Sequence, residues 1–322
     1  MYDRVTARAY TNIALIKYWG KENPVLNLPT TTSLSMTLDA FYTETSVSFD
    51  QGILADSLVL DGSEVDNRRV HTFLQMLREN IADFPHVLIE SHNQVPTAAG
   101  LASSASSFAA LTVAMAGLLE LTAMPEELSR LARCGSGSAS RSIYGNFAIW
   151  HKGEDDFSSY AESFLDEDIG LTMLVAHVSE ETKKISSTDG MQRAQASAGY
   201  ARWVAESEKA LEEIKPAIIA QDIEKIGLIA EENALSMHAL NRTAEPPFDY
   251  FTDTTRALVD FAADCYHKGF LAFATLDAGP NVKIITSRKE EEAVLARFKA
   301  AFPDIPFDIC HAGPRAEVRD AH

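Results

Sequence analysis

One segment constrains the fold of this chain more than any other: a run of small residues, Pro96 to Ser107, that leads into an apolar helical pattern. Four residues of that pattern repeat at the spacing of one buried helical face: Phe108, Leu111, Met115 and Leu118. Small residues let a backbone approach a bulky ligand, and the free N–H groups at a helix start favour an anion. An ordinary serine N-cap is the alternative, but a cap needs only one serine. The segment therefore predicts a phosphate-binding loop at the start of a core helix.

A second small-residue run, Gly135 to Ser142, joins a Gly/Ser turn to a predicted helix start and carries Arg141. Arginine suits bidentate contact with a carboxylate or phosphate. The alternative is a Gly-rich turn between helices with a surface arginine. The run begins like a dinucleotide-binding fingerprint, but Ser140 replaces the third glycine and the preceding stretch is helical. No P-loop, HExxH, metal-spaced Cys/His set or GxSxG elbow occurs either, which excludes the commonest nucleotide and hydrolase signatures.

Two further segments bring cations and an acid. The segment 12–21 presents Lys17 and Lys21, with Tyr and Trp between them, and the segment 275–283 places Asp277 at a Gly-Pro turn between two predicted strands. Surface lysines at a strand end and a turn-forming aspartate are the alternatives. The functional interpretation is a carboxylate displayed from a rigid sheet edge, where it can orient or deprotonate a hydroxyl.

The charge balance excludes some partners. The chain has 28 basic and 46 acidic residues, a net charge of −18, which disfavours a nucleic-acid or anionic-membrane surface. Eight acids lie between Trp203 and Glu232, where solvated helix faces are expected, so the excess does not prevent a local cleft from binding anions. The longest apolar run is shorter than the ~20 residues that a bilayer span needs. Three dispersed cysteines and an N-terminus without a basic-then-apolar layout predict a cytoplasmic protein.

The hydrophobic patterns predict an α+β fold. Five strands and one core helix are expected in the first half, with an antiparallel-leaning sheet; the strands are Val5–Tyr10, Phe41–Phe49, Val87–Ser91, Phe147–His151 and Leu171–Val178. After Gly190 the pattern becomes helical, with breaks at Pro216 and at Pro246-Pro247; the helices are Met191–Ile214, Asp222–Leu240 and Tyr250–Lys268. Three short strands follow: Leu271–Leu276, Val282–Thr286 and Phe307–Cys310.

Together these segments resemble a known family. PTAAGLASSAS (96–106) is similar to the phosphate loop of the galacto-, homoserine-, mevalonate- and phosphomevalonate-kinase (GHMP kinase) superfamily. NIALIKYWGK (12–21), GSGSASRSIYG (135–145) and LDAGPNVK (276–283) more narrowly resemble the diphosphomevalonate decarboxylases, and MHALN (237–241) followed by PPF (246–248) fits the same pattern. The resemblance implies a two-lobed GHMP kinase-like homodimer. Residues 1–185 would form an N-terminal lobe of mixed sheet and helix, and residues 186–322 a helix-rich C-terminal lobe with an antiparallel sheet. The active-site cleft would lie between them.

The resemblance also implies a reaction. Mevalonate 5-diphosphate and ATP, with Mg²⁺, would give isopentenyl diphosphate, ADP, phosphate and carbon dioxide after transient phosphorylation of the 3-hydroxyl. Asp277 matches the family's catalytic aspartate, which orients or deprotonates that hydroxyl, and Lys17 matches the lysine that keeps the aspartate ionised. Arg141 matches the arginine that grips the substrate carboxylate.

Two groups of binding residues follow from the same resemblance. Positions around the substrate's diphosphate and carboxylate match Tyr18, Lys21, Ser136, Ser138, Arg141, Ser187 and Thr188. Positions of the ATP phosphate loop match Pro96, Gly100, Leu101, Ala102, Ser103, Ser104 and Ser106, and we expect the Ser104 hydroxyl near the γ-phosphate and Mg²⁺. Some bacterial members carry arginine where this chain has Thr188, so the diphosphate contacts are expected to rest more on Lys21, Tyr18 and Arg193.

Two alternatives stay open. A decarboxylase of mevalonate monophosphate, or a small-molecule kinase such as a mevalonate kinase, would share the phosphate loop. A nucleotide-binding scaffold without chemistry would be expected to have lost its acid and cations, whereas Lys17, Arg141 and Asp277 are all present.

Overall fold

The first half of the chain is built on one large sheet. The computed structural model describes residues 2–50, 52–66, 68–94, 103–179 and 184–322, and only the backbone of Ser103. The strands of this half are β1 (Arg4–Ile16), β2 (Lys21–Asn23), β3 (Leu28–Pro29), β4 (Ser33–Phe49), β5 (Ser57–Leu60), β6 (Ser63–Glu64), β7 (Val87–Gln94), β8 (Phe147–Trp150) and β9 (Ala161–Leu165). The long strands β1 and β4 pair antiparallel from Arg4 opposite Ser48 to Ile16 opposite Leu34. β2 and β3 form a separate hairpin.

Helices cover one face of this sheet. They are α1 (Arg68–Asn80), α2 (Ser103–Leu118), α3 (Pro125–Gly135) and a 3-10 helix (Gly137–Ile143). The predicted core helix is α2, and its buried face packs Phe108, Leu111 and Met115 with Val5 and Val47 of the sheet. The end of α3 packs closely on α2, because a Cβ at Gly135 would lie 2.0 Å from the Phe108 ring.

The second half contains a four-stranded antiparallel sheet and five helices. Its strands are β10 (Leu171–Ala176), β11 (Phe273–Leu276), β12 (Val282–Ser287) and β13 (Phe307–Cys310), in the order β11-β12-β10-β13. Its helices are α4 (Ser187–Gln195), α5 (Tyr200–Ile219), α6 (Ile223–Arg242), α7 (Asp253–His267) and α8 (Glu291–Ala301). Side-chain caps start three of them: Ser186 accepts from the Asp189 N–H at 3.1 Å, Asp222 from the Lys225 N–H at 3.0 Å, and Thr252 from the Thr255 N–H at 3.1 Å.

The last strand returns to the first sheet. β14 (Glu317–Ala321) pairs antiparallel with β1 and completes an eight-stranded sheet of order β14-β1-β4-β7-β5-β6, with β8 on a further stretch of β4 and β9 on β8. β10, which precedes residue 185, pairs within the second sheet. The division of the chain into lobes at 185/186 stays a prediction. A shared core cluster that includes Ile13, Met173 and Phe273 joins the two sheets.

The α+β class is confirmed, and three details of the prediction are wrong. The helix predicted over Met191–Ile214 is two helices, α4 and α5. Pro216 lies inside α5 instead of breaking it, because its carbonyl still accepts from the Ala220 N–H at 2.9 Å and the flanking Ala217 and Ile218 are buried. The predicted helix start after Gly135 is the 3-10 helix. Within the described residues, no helix is both long and apolar enough to cross a membrane.

Candidate active site

A cavity of about 230 Å³ lies where the end of β1, the 3-10 helix, the start of α4 and the β11–β12 turn converge. The predicted site residues that line it are Lys17, Tyr18, Lys21, Ser104, Ser136, Ser138, Arg141, Ser187, Thr188 and Asp277. These residues come from five separate stretches of chain, so the fold brings together most of the predicted site.

The predicted ATP-loop residues are placed less completely. Pro96, Gly100, Leu101 and Ala102 lie outside the described residues, and for Ser103 the structure describes only the backbone start of α2. The Ser106 hydroxyl lies in a buried network between α2 and the sheet, 2.8 Å from the Thr43 hydroxyl, and does not line the cavity. The roles of these residues at ATP stay predictions.

The central contact of the site joins Lys17 and Asp277. Lys17 follows β1 and Asp277 follows β11, and Lys17 Nζ donates to Asp277 Oδ1 at 3.0 Å. The Lys17 side chain is 2% exposed, whereas that of Asp277 is 27% exposed and opens on the cavity. Lys17 Nζ also donates to the Ala14 carbonyl at 2.7 Å. The ammonium is therefore held rigidly beside the carboxylate.

A second lysine, which the sequence analysis did not assign to the site, completes the contacts of Asp277. Lys283 Nζ donates to Asp277 Oδ2 at 3.2 Å from within β12. Its one sequence signal was a charged residue inside an otherwise apolar run.

The two lysines set the charge state of the site. Burial by itself raises the pKa of Asp277, but Lys17 and Lys283 outweigh it and hold the pKa well below the usual carboxyl range. Burial lowers the pKa of Lys17 to about 8; Asp277 opposes this shift, and repulsion from Lys283 and Arg141 adds to it. Asp277 is therefore a carboxylate at neutral pH, and Lys17 loses its proton at a lower pH than an ordinary lysine.

Arg141 lies on the 3-10 helix and is oriented by neutral groups. Its Nε donates to Asn12 Oδ1 at 3.1 Å, and its Nη1 donates to the Ser33 hydroxyl at 2.5 Å. Burial lowers the pKa of Arg141 to about 10, so the guanidinium remains charged at neutral pH. Among the described residues no acidic side chain forms an ion pair with it. Its charge is therefore available to a bound anion. Asn12 was missed as the residue that orients it.

Lys21 and Arg69 form a second group of cations at the cavity. Lys21 Nζ donates to Asn27 Oδ1 at 2.7 Å, and burial together with the nearby Arg69 lowers the pKa of Lys21. Arg69, on α1, also lines the cavity and donates to the Gly135 carbonyl at 2.9 Å. Sequence reasoning missed Arg69 because it is far from every recognised motif.

Hydroxyl groups line the wall between these cations. The hydroxyls of Ser104 and Ser136 are 3.2 Å apart, and those of Ser136 and Ser138 are 3.5 Å apart. The Tyr18 hydroxyl is buried at the cavity and has no hydrogen-bond partner among the described residues. A Cβ at Gly137 would lie 2.9 Å from that hydroxyl, so the close approach requires glycine. The wall can therefore donate hydrogen bonds to an anion.

Helix α4 contributes its first turn. Ser186 is the N-cap and accepts from the Asp189 N–H at 3.1 Å, which brings Ser187 and Thr188 to the cavity. The Arg193 guanidinium lies 5.9 Å from the centre of the Phe248 ring, and Arg193 does not line the cavity that the structure describes. The Arg69 guanidinium stands at the cavity instead.

The donor set at the cavity suits Mg²⁺ only as an ion bound together with a polyphosphate. No group of three or more His, Cys, Asp or Glu residues able to hold a metal exists within the described residues. Both Asp277 oxygens are bonded by lysines. Mg²⁺ commonly binds through substrate phosphates with few protein ligands, and the Ser104 hydroxyl at the start of α2 fits that mode.

Comparison with known proteins identifies one family. Residues 9–161 match the model of the diphosphomevalonate decarboxylase-like N-terminal domain, and residues 173–315 match that of the mevalonate 5-diphosphate decarboxylase C-terminal domain. The diphosphomevalonate decarboxylase of Candida albicans is 35% identical over 327 aligned positions, covering 95% of this chain and 90% of that protein.

Solved structures agree with the sequence matches. The mevalonate diphosphate decarboxylase of Staphylococcus aureus has a TM-score of 0.95 at 38% identity, covering 99% of both chains. The protein MDDEF, solved in complex with MVAPP, AMPPCP and magnesium, has a TM-score of 0.95 at 41% identity, covering 99% of this chain and 100% of that one. The chain therefore belongs to the diphosphomevalonate decarboxylase family.

Proposed function

We propose that this protein catalyses the ATP-dependent decarboxylation of mevalonate 5-diphosphate to isopentenyl diphosphate, ADP, phosphate and carbon dioxide. The observation that carries the proposal is the pairing of Lys17 with Asp277 at the same cavity as Arg141, which forms no ion pair with an acidic side chain among the described residues. A hydroxyl and a carboxylate on one small substrate would meet these two groups. The complex of MDDEF with MVAPP, AMPPCP and magnesium supports the same pair of substrates.

Asp277 and Lys17 would act on the 3-hydroxyl. The ionised Asp277 accepts a hydrogen bond from the hydroxyl and orients its oxygen towards the γ-phosphate of ATP. The Lys17 ammonium, which already donates to Ala14 and Asp277, has one remaining N–H for the incoming phosphoryl oxygens. Phosphoryl transfer depends mainly on positioning and on stabilising negative charge, and this pair provides both.

Arg141 would hold the substrate carboxylate during the second stage. As the bond between the 3-carbon and the phosphate oxygen breaks, the electrons of the bond to the carboxylate form the new double bond, and carbon dioxide leaves. Asn12 and Ser33 hold the guanidinium in place, so the carboxylate is oriented without a rearrangement of the protein. The buried guanidinium also stabilises the anionic substrate before the loss of carbon dioxide.

The diphosphate would lie against the second group of cations. Lys21, Arg69 and the Tyr18 hydroxyl face the cavity, together with Ser136, Ser138, Ser187 and Thr188. Charge-assisted hydrogen bonds are about twice as strong as neutral ones. This explains how a chain with Thr188 in place of arginine could still bind a diphosphate.

The run from Pro96 to Ser106 would hold the phosphates of ATP at the start of α2, as the resemblance implies. Bound Mg²⁺ would neutralise charge between the phosphates, and the Ser104 hydroxyl is the described group at the cavity that fits it. We also infer a two-lobed division at 185/186, a homodimer and a cytoplasmic location. The resemblance supports the two lobes and the homodimer, and the three free cysteines support a reducing compartment.

The decisive experiment measures two products at once. Purified protein with ATP, Mg²⁺ and mevalonate 5-diphosphate should release ADP and carbon dioxide in equal amounts. Release of ADP without carbon dioxide would leave a kinase and contradict the proposal. Mevalonate 5-phosphate is the matched control, because it lacks the phosphate that Lys21 and Arg69 would bind, and a preference for it would favour the monophosphate decarboxylase.

A further inference from the structure

Lys283 occupies an unusual position in the second sheet. It lies within β12, opposite Thr275 of β11 and Val175 of β10, and its strand neighbours Val282 and Ile284 are fully buried. Its own side chain is 2% exposed and does not line the cavity. A buried charge is costly unless it is paired, and an apolar residue would pack at such a position without that cost.

Stability does not explain this lysine. Within the described part of the chain, Asp277 is the one carboxylate that pairs with Lys283, and Lys17 already pairs with the same group. The two lysines and Arg141 therefore place three buried cations around one carboxylate. The cost of burying a second cation can exceed the ion-pair energy that it gains from a carboxylate already paired with Lys17.

The geometry explains what the lysine does instead. Lys17 holds Oδ1 from the first sheet and Lys283 holds Oδ2 from the second, so the Asp277 carboxylate cannot rotate about its terminal bond without losing one contact. Lys283 also donates to the Asn281 carbonyl at 3.5 Å, in the same turn that carries Asp277. Its contacts thus help to fix the plane of the carboxylate and to keep the carboxylate ionised.

We propose that Lys283 is a positioning residue for the phosphoryl-transfer step. By donating to Asp277 Oδ2 it fixes the orientation of the carboxylate, and its positive charge acts on the site. This inference rests on the proposed function, because it assigns Asp277 to the 3-hydroxyl. Lys283 acts through Asp277 and does not touch the substrate.

The proposal has a specific pH signature. The titratable groups that act on Asp277 and Lys17 are Lys283 on β12, Arg141 on the 3-10 helix and His238 on α6; burial lowers the pKa of His238 to about 3, so it is neutral. Lys283 lowers the pKa of Asp277 and also that of Lys17. Removing its charge should therefore raise the pKa of Lys17 and move the alkaline limb of the kcat/KM profile to higher pH.

The test compares four variants of the full-length protein. Lys283→Met removes the cation, Lys283→Gln does the same with a polar side chain, and Lys283→Arg keeps the charge. Thr275→Val is the matched control, because Thr275 lies opposite Lys283 and its buried hydroxyl has no partner among the described residues. For the Met variant kcat should fall about 10–100-fold, while KM for both substrates changes less than about threefold. The alkaline limb of kcat/KM should move to higher pH.

The remaining variants decide between positioning and a merely structural role. Lys283→Arg should recover most of kcat and the original alkaline limb, and Thr275→Val should match the unmodified protein. If the Met variant does not fold, the Gln variant takes its place. A folded neutral variant with kcat within about twofold of the unmodified protein, or with an unshifted alkaline limb, would overturn the inference. If the unmodified protein releases no carbon dioxide, the proposed function fails instead.

Discussion

At the scale of single residues, the main feature of the site is its excess of buried positive charge. Lys17 and Arg141 are 2% and 3% exposed, and both face a cavity where Asp277 is the one acidic residue among the described lining. The excess positive charge is costly while the cavity holds only water and becomes favourable once a polyanion enters. The site is therefore arranged for anions even though the whole chain carries a net charge of −18.

Replacing the central acid should stop the chemistry and spare binding. In Asp277→Asn, kcat should fall about 10²–10⁴-fold, because an amide is a poorer acceptor for the 3-hydroxyl and no longer pairs with two lysines. Steady-state kinetics and calorimetric binding of an ATP analogue would measure this. Asp264→Asn, an exposed acid on α7, is the control and should behave as the unmodified protein. Near-normal turnover of Asp277→Asn would refute the role given to Asp277.

The titration of Lys17 predicts an alkaline limit to activity. Its pKa is lowered to about 8, so the ammonium loses its proton as the pH rises through that value, and kcat/KM should fall above about pH 8. The limb in kcat should lie at higher pH, because bound phosphates favour the charged form. The Lys17→Arg variant should not show this fall in kcat/KM above about pH 8, even if its kcat is low, because the guanidinium stays charged. A kcat/KM that stays level up to pH 10 would contradict the assignment.

At the scale of elements, glycines determine how closely the helices around the site pack against their neighbours. Helix α4 can bring Ser187 and Thr188 to the cavity because Gly190 packs against aromatic rings: a Cβ there would lie 2.6 Å from the Tyr250 hydroxyl and 3.1 Å from the Trp19 ring. The same principle holds in the 3-10 helix, where Gly137 lies under Tyr18. The glycines thus determine element positions as well as turns.

The packing of α4 can be tested at Gly190. In Gly190→Ala the added methyl group should push the helix away from Trp19 and Tyr250, destabilising the fold by about 1–3 kcal/mol. KM for mevalonate 5-diphosphate should rise several-fold, because Ser187 and Thr188 move with the helix. Gly199→Ala is the control: its Cβ would lie 3.3 Å from Leu240 Cδ1 and 3.8 Å from the Ser197 hydroxyl, both at side-chain ends, so stability should change by less than about 0.5 kcal/mol. Equal melting temperatures and KM values for the two variants would contradict this account.

At the scale of the whole molecule, the site lies on the seam between the two sheets. The Lys17 N–H donates to Asn233 Oδ1 at 2.8 Å, and the Trp19 indole N–H donates to Asn241 Oδ1 at 2.8 Å, so the end of β1 is tied to α6 by neutral bonds. Lys17 and Asp277 add an ionic bond across the same seam. Substrate binding there would connect both halves.

A ligand that connects the halves should stabilise the fold. Mevalonate 5-diphosphate at 100 times its Kd should add about 2.7 kcal/mol, and the melting temperature should rise by several degrees. Asp277→Asn should keep most of this shift, and Arg69→Gln should lose part of it because Arg69 lines the cavity. Differential scanning calorimetry would measure both. An unchanged melting temperature of the unmodified protein at saturating ligand would argue against binding at this cavity.

Much of the fold and of the site could be predicted from the sequence. Eight of the described strands (β1, β4, β7, β8 and β10–β13), the core helix α2 and the turn that carries Asp277 follow from local hydrophobic period and turn chemistry, which depend on neighbours along the chain. The sequence did not predict the short strands β2, β3, β5, β6 and β9 or the last strand, β14. The sequence predicts a helix break at Pro216, whereas the structure has Pro216 inside α5. The local sequence does not show this, because the tolerance of a proline inside the helix depends on the buried residues around it. The interruption between α4 and α5 likewise has no strong local signal.

The sequence by itself determined the α+β class, the small-residue loop and the residues that we propose for the chemistry, because each of these motifs consists of consecutive residues. Only the tertiary structure decided which of them meet. It brought Arg69 to the cavity, placed Lys283 behind Asp277 and directed Arg193 to Phe248. The physical reason is that charge pairing depends on distance in space, and the contact of Lys17 with Asp277 spans 260 positions of the chain.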